Sequence, residues 1–374
     1  MSEYQCYEFV ALERPLTAKQ MAELRAISMR AEISPTRFWN EYQWGDLKAD
    51  PRKLMERYFD AHLYFANWGT HRLTLRLPKA RVDLKALKAY FVGGHAARLT
   101  STGEQVLLDL GSDTEEPEYD ERSQGSLAAL TPLRAELLRG DLRAAYLAWL
   151  LAVAADDLDD DAKEPPVPAG LGEPTAAQEA MVEFLRIDVD LVSAAASGSA
   201  AAIKDDAPFR RWLAALPTKE KDAWLTRAAD EPELGLGGEL LRVFRATTKA
   251  EHRGTRRTVR ELRALAEAKR AERERAEAER ARRTKAQADA ARQRHLTKLG
   301  RDVEGAWSKL EKLVEASDYD VAVKLAIDLR DLASREATAP AFARRFEALR
   351  KRQLRRRGFF DRWKRANEND SRDG

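Results

Sequence analysis

Histidine is rare in this sequence, and three of its five histidines lie within the first 95 residues, where they could act as metal ligands. His62 and His71 fall on two neighbouring predicted strands, so they could share a site with His95 and a carboxylate. A zinc site needs its ligands to converge on the metal at about 2.0–2.2 Å, and these spacings match no known ligand pattern. We therefore interpret the three as isolated surface or hydrogen-bonded histidines, and we predict no catalytic residue, no metal and no cofactor.

Two further features could carry chemistry, a lone cysteine and an acidic run. Cys6 excludes an internal disulfide, suits a reducing compartment, and has no basic neighbour in sequence that would lower the pKa of its thiol. The acidic run 156–161 could hold Ca²⁺ through carboxylates, but it lacks the glycine and the alternating spacing of a calcium loop. Four prolines follow the run, so we interpret residues 156–174 as a solvated linker.

The strongest charge signal lies near the C-terminus, where residues 340–366 hold eleven Lys and Arg against two acids. On a helix, the apolar Phe342, Phe346 and Leu349 share one face and the basic residues project from the other. Such a basic face can bind phosphate backbones by counterion release or anionic lipid headgroups, although a purely solvated face is an alternative. The residues of this predicted non-specific nucleic-acid-binding surface are Arg344, Arg345, Lys351, Arg352 and Arg355.

Aromatic residues are concentrated in the first 95 positions, which hold 14 of the 29 in the chain. On a sheet, aromatic rings can stack nucleobases, but they can equally pack in a core or against a protein partner. Trp39 has the opposite strand parity from Phe38, and Trp68 has the opposite parity from Phe65. One aromatic face is therefore expected to lie outside the core, and we interpret Trp39, Trp44 and Trp68 as a partner or stacking surface.

Strand signals that would position these side chains are confined to residues 1–112. Leucines alternate with polar residues over 70–78, which is typical of a half-buried strand, and the segment 59–68 precedes it as a hairpin partner. A second hairpin is predicted around 102–103, and another strand over 36–44. Together these patterns predict an α+β domain with a mostly antiparallel sheet.

Beyond this domain the patterns are helical. Residues 266–294 contain ten alanines, ten basic and six acidic residues but no Leu, Ile, Val or aromatic residue, so they lack the apolar seam of a coiled coil. We predict a long, solvent-exposed single helix here, with an oligomerising coiled coil as the alternative. The predicted organisation is an α+β domain (1–112), a helical extension (113–155), the acidic and proline-rich linker (156–174), a helical domain (175–250), the long charged helix (251–299), a basic three-helix bundle (300–366) and a disordered tail (367–374).

Composition limits the class of protein. The chain has 374 residues, of which 44% are hydrophobic and 34% charged, with a formal net charge of +3, so it can bury more than one core. No apolar run approaches the roughly 20 residues that a membrane-spanning helix needs, and the N-terminus lacks the basic and apolar regions of a signal peptide. We expect a soluble, cytoplasmic, multidomain protein without a transmembrane segment.

Several short motifs spread over most of the chain carry a family resemblance. They are Tyr7-Glu8-Phe9 followed by Arg14-Pro15-Leu16-Thr17, Trp44-Gly45-Asp46, Asn67-Trp68-Gly69-Thr70, and Asp318-Tyr319-Asp320 leading into Leu329-Arg330-Asp331-Leu332. With these motifs the chain resembles an uncharacterised family of bacterial cytosolic proteins, loosely associated with genomic neighbours that carry a SWIM-type zinc finger. The resemblance implies a bacterial, cytosolic protein with a role near nucleic acid, and it brings no catalytic residues.

These observations predict a non-enzymatic, modular interaction protein. Its N-terminal domain and helical middle would bind a protein partner, and its basic C-terminal bundle would contact nucleic acid without sequence preference. Two alternatives remain open: an enzyme with a site around Trp44, Asp46, His62 and His71, and a structural oligomer assembled through the charged helix. The sequence leaves the oligomeric state open.

Overall fold

The fold is that of a computed structural model, which describes residues 3–114, 126–201, 207–230, 236–247 and 256–370. The chain divides into two compact units, Met1–Glu272 and Arg273–Gly374. The predicted fold class is confirmed, because an antiparallel sheet with helices is followed by an all-α region that contains one long helix. In the described part of the chain, every helix is too short or too polar to cross a membrane.

The N-terminal unit is built on a sheet of seven strands in the order β2-β3-β1-β4-β5-β7-β6, with every neighbouring pair antiparallel. The two predicted hairpins are present as β4–β5 and β6–β7. The prediction that Trp44 belongs to a strand is wrong, since β3 ends at Tyr42 and the chain turns at Gly45 with a φ of 86°. The strands are β1 (Gln5–Val10), β2 (Glu32–Ile33), β3 (Arg37–Tyr42), β4 (Ala61–Ala66), β5 (Thr70–Pro78), β6 (Ala97–Thr102) and β7 (Gln105–Asp113).

Eleven described helices and the beginning of a twelfth belong to the same unit. The first begins as the sequence predicts: the Thr17 side chain accepts from the backbone N–H of Gln20, whose side chain accepts from the Thr17 N–H in return. The helices are α1 (Ala18–Ile27), α2 (Pro51–Arg57), α3 (Leu84–Lys88), α4 (Leu127–Leu130), α5 (Pro132–Leu138), α6 (Arg143–Ala154), α7 (Ala176–Phe184), α8 (Val189–Ala196), α9 (Ala207–Ala215), α10 (Thr218–Asp230), α11 (Leu236–Thr247) and α12 (Val259–Leu299).

Both faces of the sheet carry an apolar core. On one face, leucines of β4, β5 and β7 pack against α4 to α8, and the largest buried side chains there are Tyr146 and Trp149. On the other face, Phe9 and Phe38 pack against α1 and α2. This second core extends along β7 only as far as Leu107, which leaves part of the face without an apolar covering.

The segment 156–174, predicted to be a solvated linker, is packed within the N-terminal unit. Glu164 is 2% exposed and accepts two hydrogen bonds from Arg257, at 2.7 and 2.8 Å. Asp160 receives Arg263 of α12 at 3.0 Å. These contacts contradict the linker prediction. The acidic residues bind arginines about 100 positions later in the chain, and a local sequence pattern cannot predict such partners.

The C-terminal unit contains the greater part of α12 and four further helices, not three. They are α13 (Val303–Glu315), α14 (Tyr319–Arg335), α15 (Ala339–Arg352) and α16 (Arg357–Asp370). The prediction of a disordered tail from 367 is wrong up to Asp370, and residues 371–374 lie outside the described residues. Helix α16 was not predicted, because its apolar residues are interspersed with basic ones. They nevertheless form a packed face: the ring centres of Trp363 and Phe346 lie 4.8 Å apart, and Phe359 is fully buried.

The long charged helix is confirmed as α12, which begins at Val259, and its predicted residues 251–255 lie outside the described part of the chain. Side chains from 273 to 291 are exposed throughout. Ion pairs within this helix link Arg273 to Glu277 and Arg283 to Glu279, each four positions apart. Such pairs stabilise an isolated helix by roughly 0.2–0.5 kcal/mol each.

Candidate functional site

The two strand histidines lie on opposite faces of the sheet. His62 pairs across strands with Thr74, whereas His71 pairs with Phe65, so their side chains point away from each other and cannot share a metal. The Nδ1 atom of His71 lies 2.5 Å from the carbonyl oxygen of Phe184. His95 is exposed after α3. Among the described residues, no group of three or more His, Cys, Asp or Glu is placed to hold a metal ion.

His62 is 4% exposed, its ring stacks on Phe9 at 3.9 Å, and its Nδ1 lies 3.0 Å from the carbonyl oxygen of Glu8. Because a carbonyl oxygen only accepts, Nδ1 carries the proton and Nε2 is left as an acceptor. Burial lowers the pKa of His62 to about 4 from its ordinary value of 6.5, against the opposing effect of the Glu8 hydrogen bond. The ring is therefore neutral at physiological pH.

This lowered pKa predicts a loss of stability in acid. Between pH 6.5 and 4 the unfolded chain binds a proton at His62 that the folded chain does not. The free energy of unfolding therefore falls as the pH falls through this range, by up to about 3 kcal/mol. Urea unfolding followed by tryptophan fluorescence measures it, since six of the eight tryptophans belong to the N-terminal unit. H62N should flatten the pH dependence, whereas H95Q, at an exposed histidine, should leave it unchanged; equal slopes in all three proteins would contradict the assignment.

The three predicted surface tryptophans differ in their exposure. Trp44 is 79% exposed beyond the end of β3, and Trp68 is 40% exposed in the turn between β4 and β5. Both lie at the same end of the sheet, since β3 and β4 flank β1 and both end opposite Gln5. Trp39 lies in the middle of β3, half-buried, on the face opposite Phe38. The structure thus places Trp44 and Trp68 at one end of the sheet and separates Trp39 from them.

Four of the five predicted basic residues lie on α15, whereas Arg355 lies in the turn after the helix ends at Arg352. By their contacts the five fall into two groups. Arg345 donates to both carboxylate oxygens of Glu304 at 2.5 and 2.7 Å, and its guanidinium lies 4.8 Å from the ring centre of Trp307. Arg352 donates to Glu311 at 2.7 Å. Glu304 and Glu311 are seven residues apart on α13, and Arg345 and Arg352 are seven residues apart on α15. Because the two contacts occur in the same order along both helices, α13 and α15 run parallel where these bonds form. The charges of Arg345 and Arg352 are therefore neutralised by Glu304 and Glu311 of α13.

Arg344, Lys351 and Arg355 form the second group, which we call the α15 basic stripe. All three side chains are exposed, and within the described residues none of them makes an ion pair. Glu347, three residues after Arg344, lies 3.9 Å from Arg350. On the opposite side, Phe342 packs on Trp307 at 5.5 Å. Arg344 and Lys351 thus project from a helix whose other face is fixed in the bundle, and Arg355 lies just beyond its end.

A second polar region lies on the sheet face that α1 and α2 cover only in part. Cross-strand pairing aligns two rows of side chains there, one across five strands and one across four. The alternating polar residues of β5 were visible in the sequence, but the residues opposite them depend on strand register, which no local pattern fixes. The first row is Phe9, His62, Thr74, Asp109 and Arg98; the second is Tyr7, Tyr64, Arg72 and Gly111.

Apart from Phe9, the residues of these rows line a cavity of about 1410 Å³, which we call the sheet cavity. Gly111 makes room for the Arg72 side chain, since a Cβ at this position would lie 2.3 Å from Nη1 of Arg72. Tyr64 donates to Oε1 of Gln5 at 2.8 Å, and burial raises the pKa of its hydroxyl to about 12. Burial also raises the pKa of Asp109, although its hydrogen bond with Thr74 and nearby arginines oppose the shift. The cavity lining holds four arginines and four aspartates, so it offers both charged donors and hydrogen-bond acceptors.

Comparison of the chain with protein-family models, with curated proteins and with solved structures finds no match.

Proposed function

We propose that the chain is a non-enzymatic interaction protein whose C-terminal unit binds nucleic acid through the α15 basic stripe, and whose N-terminal unit contacts a protein partner. The exposure of Arg344, Lys351 and Arg355 without ion-pair partners is the observation that carries the proposal. The two other predicted cations are satisfied by acids of α13, so among the five predicted residues the stripe carries the uncompensated charge. The exposed Trp44 and Trp68 are the residues we assign to the protein partner.

The spacing of the stripe suits a phosphate backbone. Arg344 and Lys351 are seven residues apart, about 10 Å along the helix, and Arg355 follows in the turn after α15. A nucleic-acid strand carries a charge about every 3.4 Å, so one strand segment can reach successive cations. Contacts of this kind release counterions and carry no sequence information, which agrees with non-specific binding.

A membrane surface offers similar anionic groups, but the apolar face of α15 argues against it. An interfacial helix buries an apolar face among the lipid headgroups. In α15 that face is already packed in the bundle, where Leu349 is 1% exposed. The outward face offers charge without a wide apolar surface, with Leu354 the exposed apolar residue near its end. Nucleic acid is therefore the favoured polyanion.

Replacing Arg344, Lys351 and Arg355 together by Gln should weaken nucleic-acid binding by tenfold or more at low salt and flatten its salt dependence. Three lost phosphate contacts reduce the slope of log K against log salt by roughly 2–3. Fluorescence anisotropy with mixed-sequence single- and double-stranded oligonucleotides, at about 50 and 200 mM salt, measures both effects. The fold should be preserved, because the replaced side chains make no ion pair in the bundle.

The matched control carries the same change of charge on another exposed surface. Arg275, Arg280 and Arg282 are exposed on α12, and their joint replacement by Gln should leave affinity and slope nearly unchanged. If the full-length protein binds neither oligonucleotide at low salt, the proposal fails. If both triple variants weaken binding equally, the charge of the whole unit and not the stripe is responsible.

A further inference from the structure

The sheet cavity lies where the apolar covering of one sheet face stops. Along β7, Leu107 belongs to the core beneath α1 and α2, whereas Asp109 and Gly111, on the same face, line the cavity. A solvated sheet face is ordinary for an antiparallel sheet, but this one is concave and includes polar side chains that are almost completely buried, His62 at 4% and Thr74 at 8% exposed. Concave sites with a few convergent polar groups are typical of small-molecule binding.

We propose that the sheet cavity binds a small ligand that carries both a phosphate group and hydroxyl groups, of the sugar-phosphate class. Arg52 and Arg98 would hold the phosphate, and His62 and Asp109 would accept hydrogen bonds from the hydroxyls. This inference goes beyond the proposed function, since it concerns the N-terminal unit and a small molecule.

The phosphate end is assigned from the arginines that retain donors. Arg98 is exposed and gives one bond to the carbonyl oxygen of Gly94 at 3.0 Å, and Arg52 lies 3.6 Å from Glu56 in a loose pair one helical turn away. Among the described residues, the two guanidinium groups make no other hydrogen bond or ion pair. By contrast, Arg72 is committed to Asp113 at 2.7 Å. Guanidinium groups bind phosphate through paired, charge-assisted hydrogen bonds.

The hydroxyl end is assigned from acceptors that an anion alone would not satisfy. With Nδ1 of His62 bonded to Glu8, the neutral ring presents Nε2 as an acceptor. Asp109 lies in the same row as His62, on the far side of Thr74, and its carboxylate is hydrogen-bonded to the Thr74 side chain. The Asp109 carboxylate repels a bare anion, and both the carboxylate and the neutral imidazole accept hydrogen bonds from hydroxyl groups. The ligand therefore needs both functions, and the cavity has room for a molecule of this size.

Isothermal titration of the full-length protein with ribose 5-phosphate tests the proposal, with ribose and inorganic phosphate as the two half-ligands. We expect ribose 5-phosphate to bind at least tenfold more tightly than either half, because each lacks one set of contacts. R98Q and D109N should each weaken binding by about tenfold or more. R14Q, at an exposed arginine outside the cavity, should bind as the unaltered protein does.

Several outcomes would overturn the proposal. No binding of ribose 5-phosphate at 10 mM, roughly the weakest affinity a specific metabolite site would have, removes the sugar-phosphate class. Equal binding of inorganic phosphate removes the hydroxyl end, and unchanged affinity in R98Q removes the assigned phosphate end. Because Arg98 is exposed, its variant should fold normally, and its circular dichroism spectrum checks this. The triple α15 variant should retain binding, so failure of nucleic-acid binding and failure of this site are separate results.

Discussion

Replacing Glu164 by Gln should destabilise the N-terminal unit by about 3–5 kcal/mol, the usual cost of removing one partner of a buried ion pair. Glu164 accepts from Arg257 through both carboxylate oxygens and also from the hydroxyl of the fully buried Tyr146. Arg257 in turn donates to the carbonyl oxygens of Ala194 and Ala195 in α8. Without the carboxylate, a largely buried guanidinium keeps its charge but loses its counterion.

The measurement is urea unfolding of the full chain, followed by tryptophan fluorescence, with R257Q and the double variant completing a double-mutant cycle. A coupling energy of up to about 3 kcal/mol is expected for groups in one network. E32Q is the control, because Glu32 lies 3.6 Å from Arg37 in an exposed pair and such pairs contribute about 1 kcal/mol or less. A loss no larger than that of E32Q would mean that the segment 156–174 is, after all, only loosely attached.

Replacing Asp60 by Asn should have a comparable effect, about 3 kcal/mol or more, in another part of the same unit. Asp60 is 1% exposed, accepts from the backbone N–H groups of Leu12 and Glu13 at 2.7 and 2.9 Å, and receives Arg76 at 2.9 Å. Arg134 of α5 lies 3.6 Å away. An amide offers one acceptor oxygen and no charge, so two arginines would lose their shared counterion.

The pH dependence gives this prediction a second readout. Burial alone would raise the pKa of Asp60, but the Glu13 hydrogen bond and the charges of Arg134 and Arg76 outweigh burial and lower it. A carboxyl with a lowered pKa stabilises the fold above its ordinary pKa of 3.8, and that stability is lost as the pH falls through the lowered value. In D60N this acid-side loss should be smaller. D113N, in an exposed pair with Arg72, is the control; if it costs as much as D60N at pH 7, burial does not explain the effect.

Elements that depend on neighbours within a few residues can be predicted from the amino-acid sequence. The capping box at Thr17, the hairpins around Gly69 and Gly103, and the exposed helix α12 follow from local hydrogen bonds, turn geometry and side-chain composition. Each of these is complete within a short stretch of chain. All the interacting groups of such an element therefore lie close together in the sequence.

The candidate binding surfaces could be predicted from the sequence only in part. The amphipathic pattern of α15 predicted a basic face, but it could not separate the exposed Arg344 from Arg345, which an acid 41 positions earlier neutralises. The aromatic face of α16 was hidden among basic residues, because its packing partners lie on other helices. In both cases the deciding partner is distant in sequence.

Two arrangements depend on the packing of distant segments: residues 156–164 contact the start of α12, and Thr74, Asp109 and Arg98 share one row of the sheet. Strand register places each side chain on a face and opposite a particular partner, and a shift of one residue would move every side chain to the other face. Buried ion pairs likewise form only where the whole fold brings opposite charges together away from water. These long-range pairings have no counterpart in the spacing of residues along the chain, because they depend on how separate elements pack.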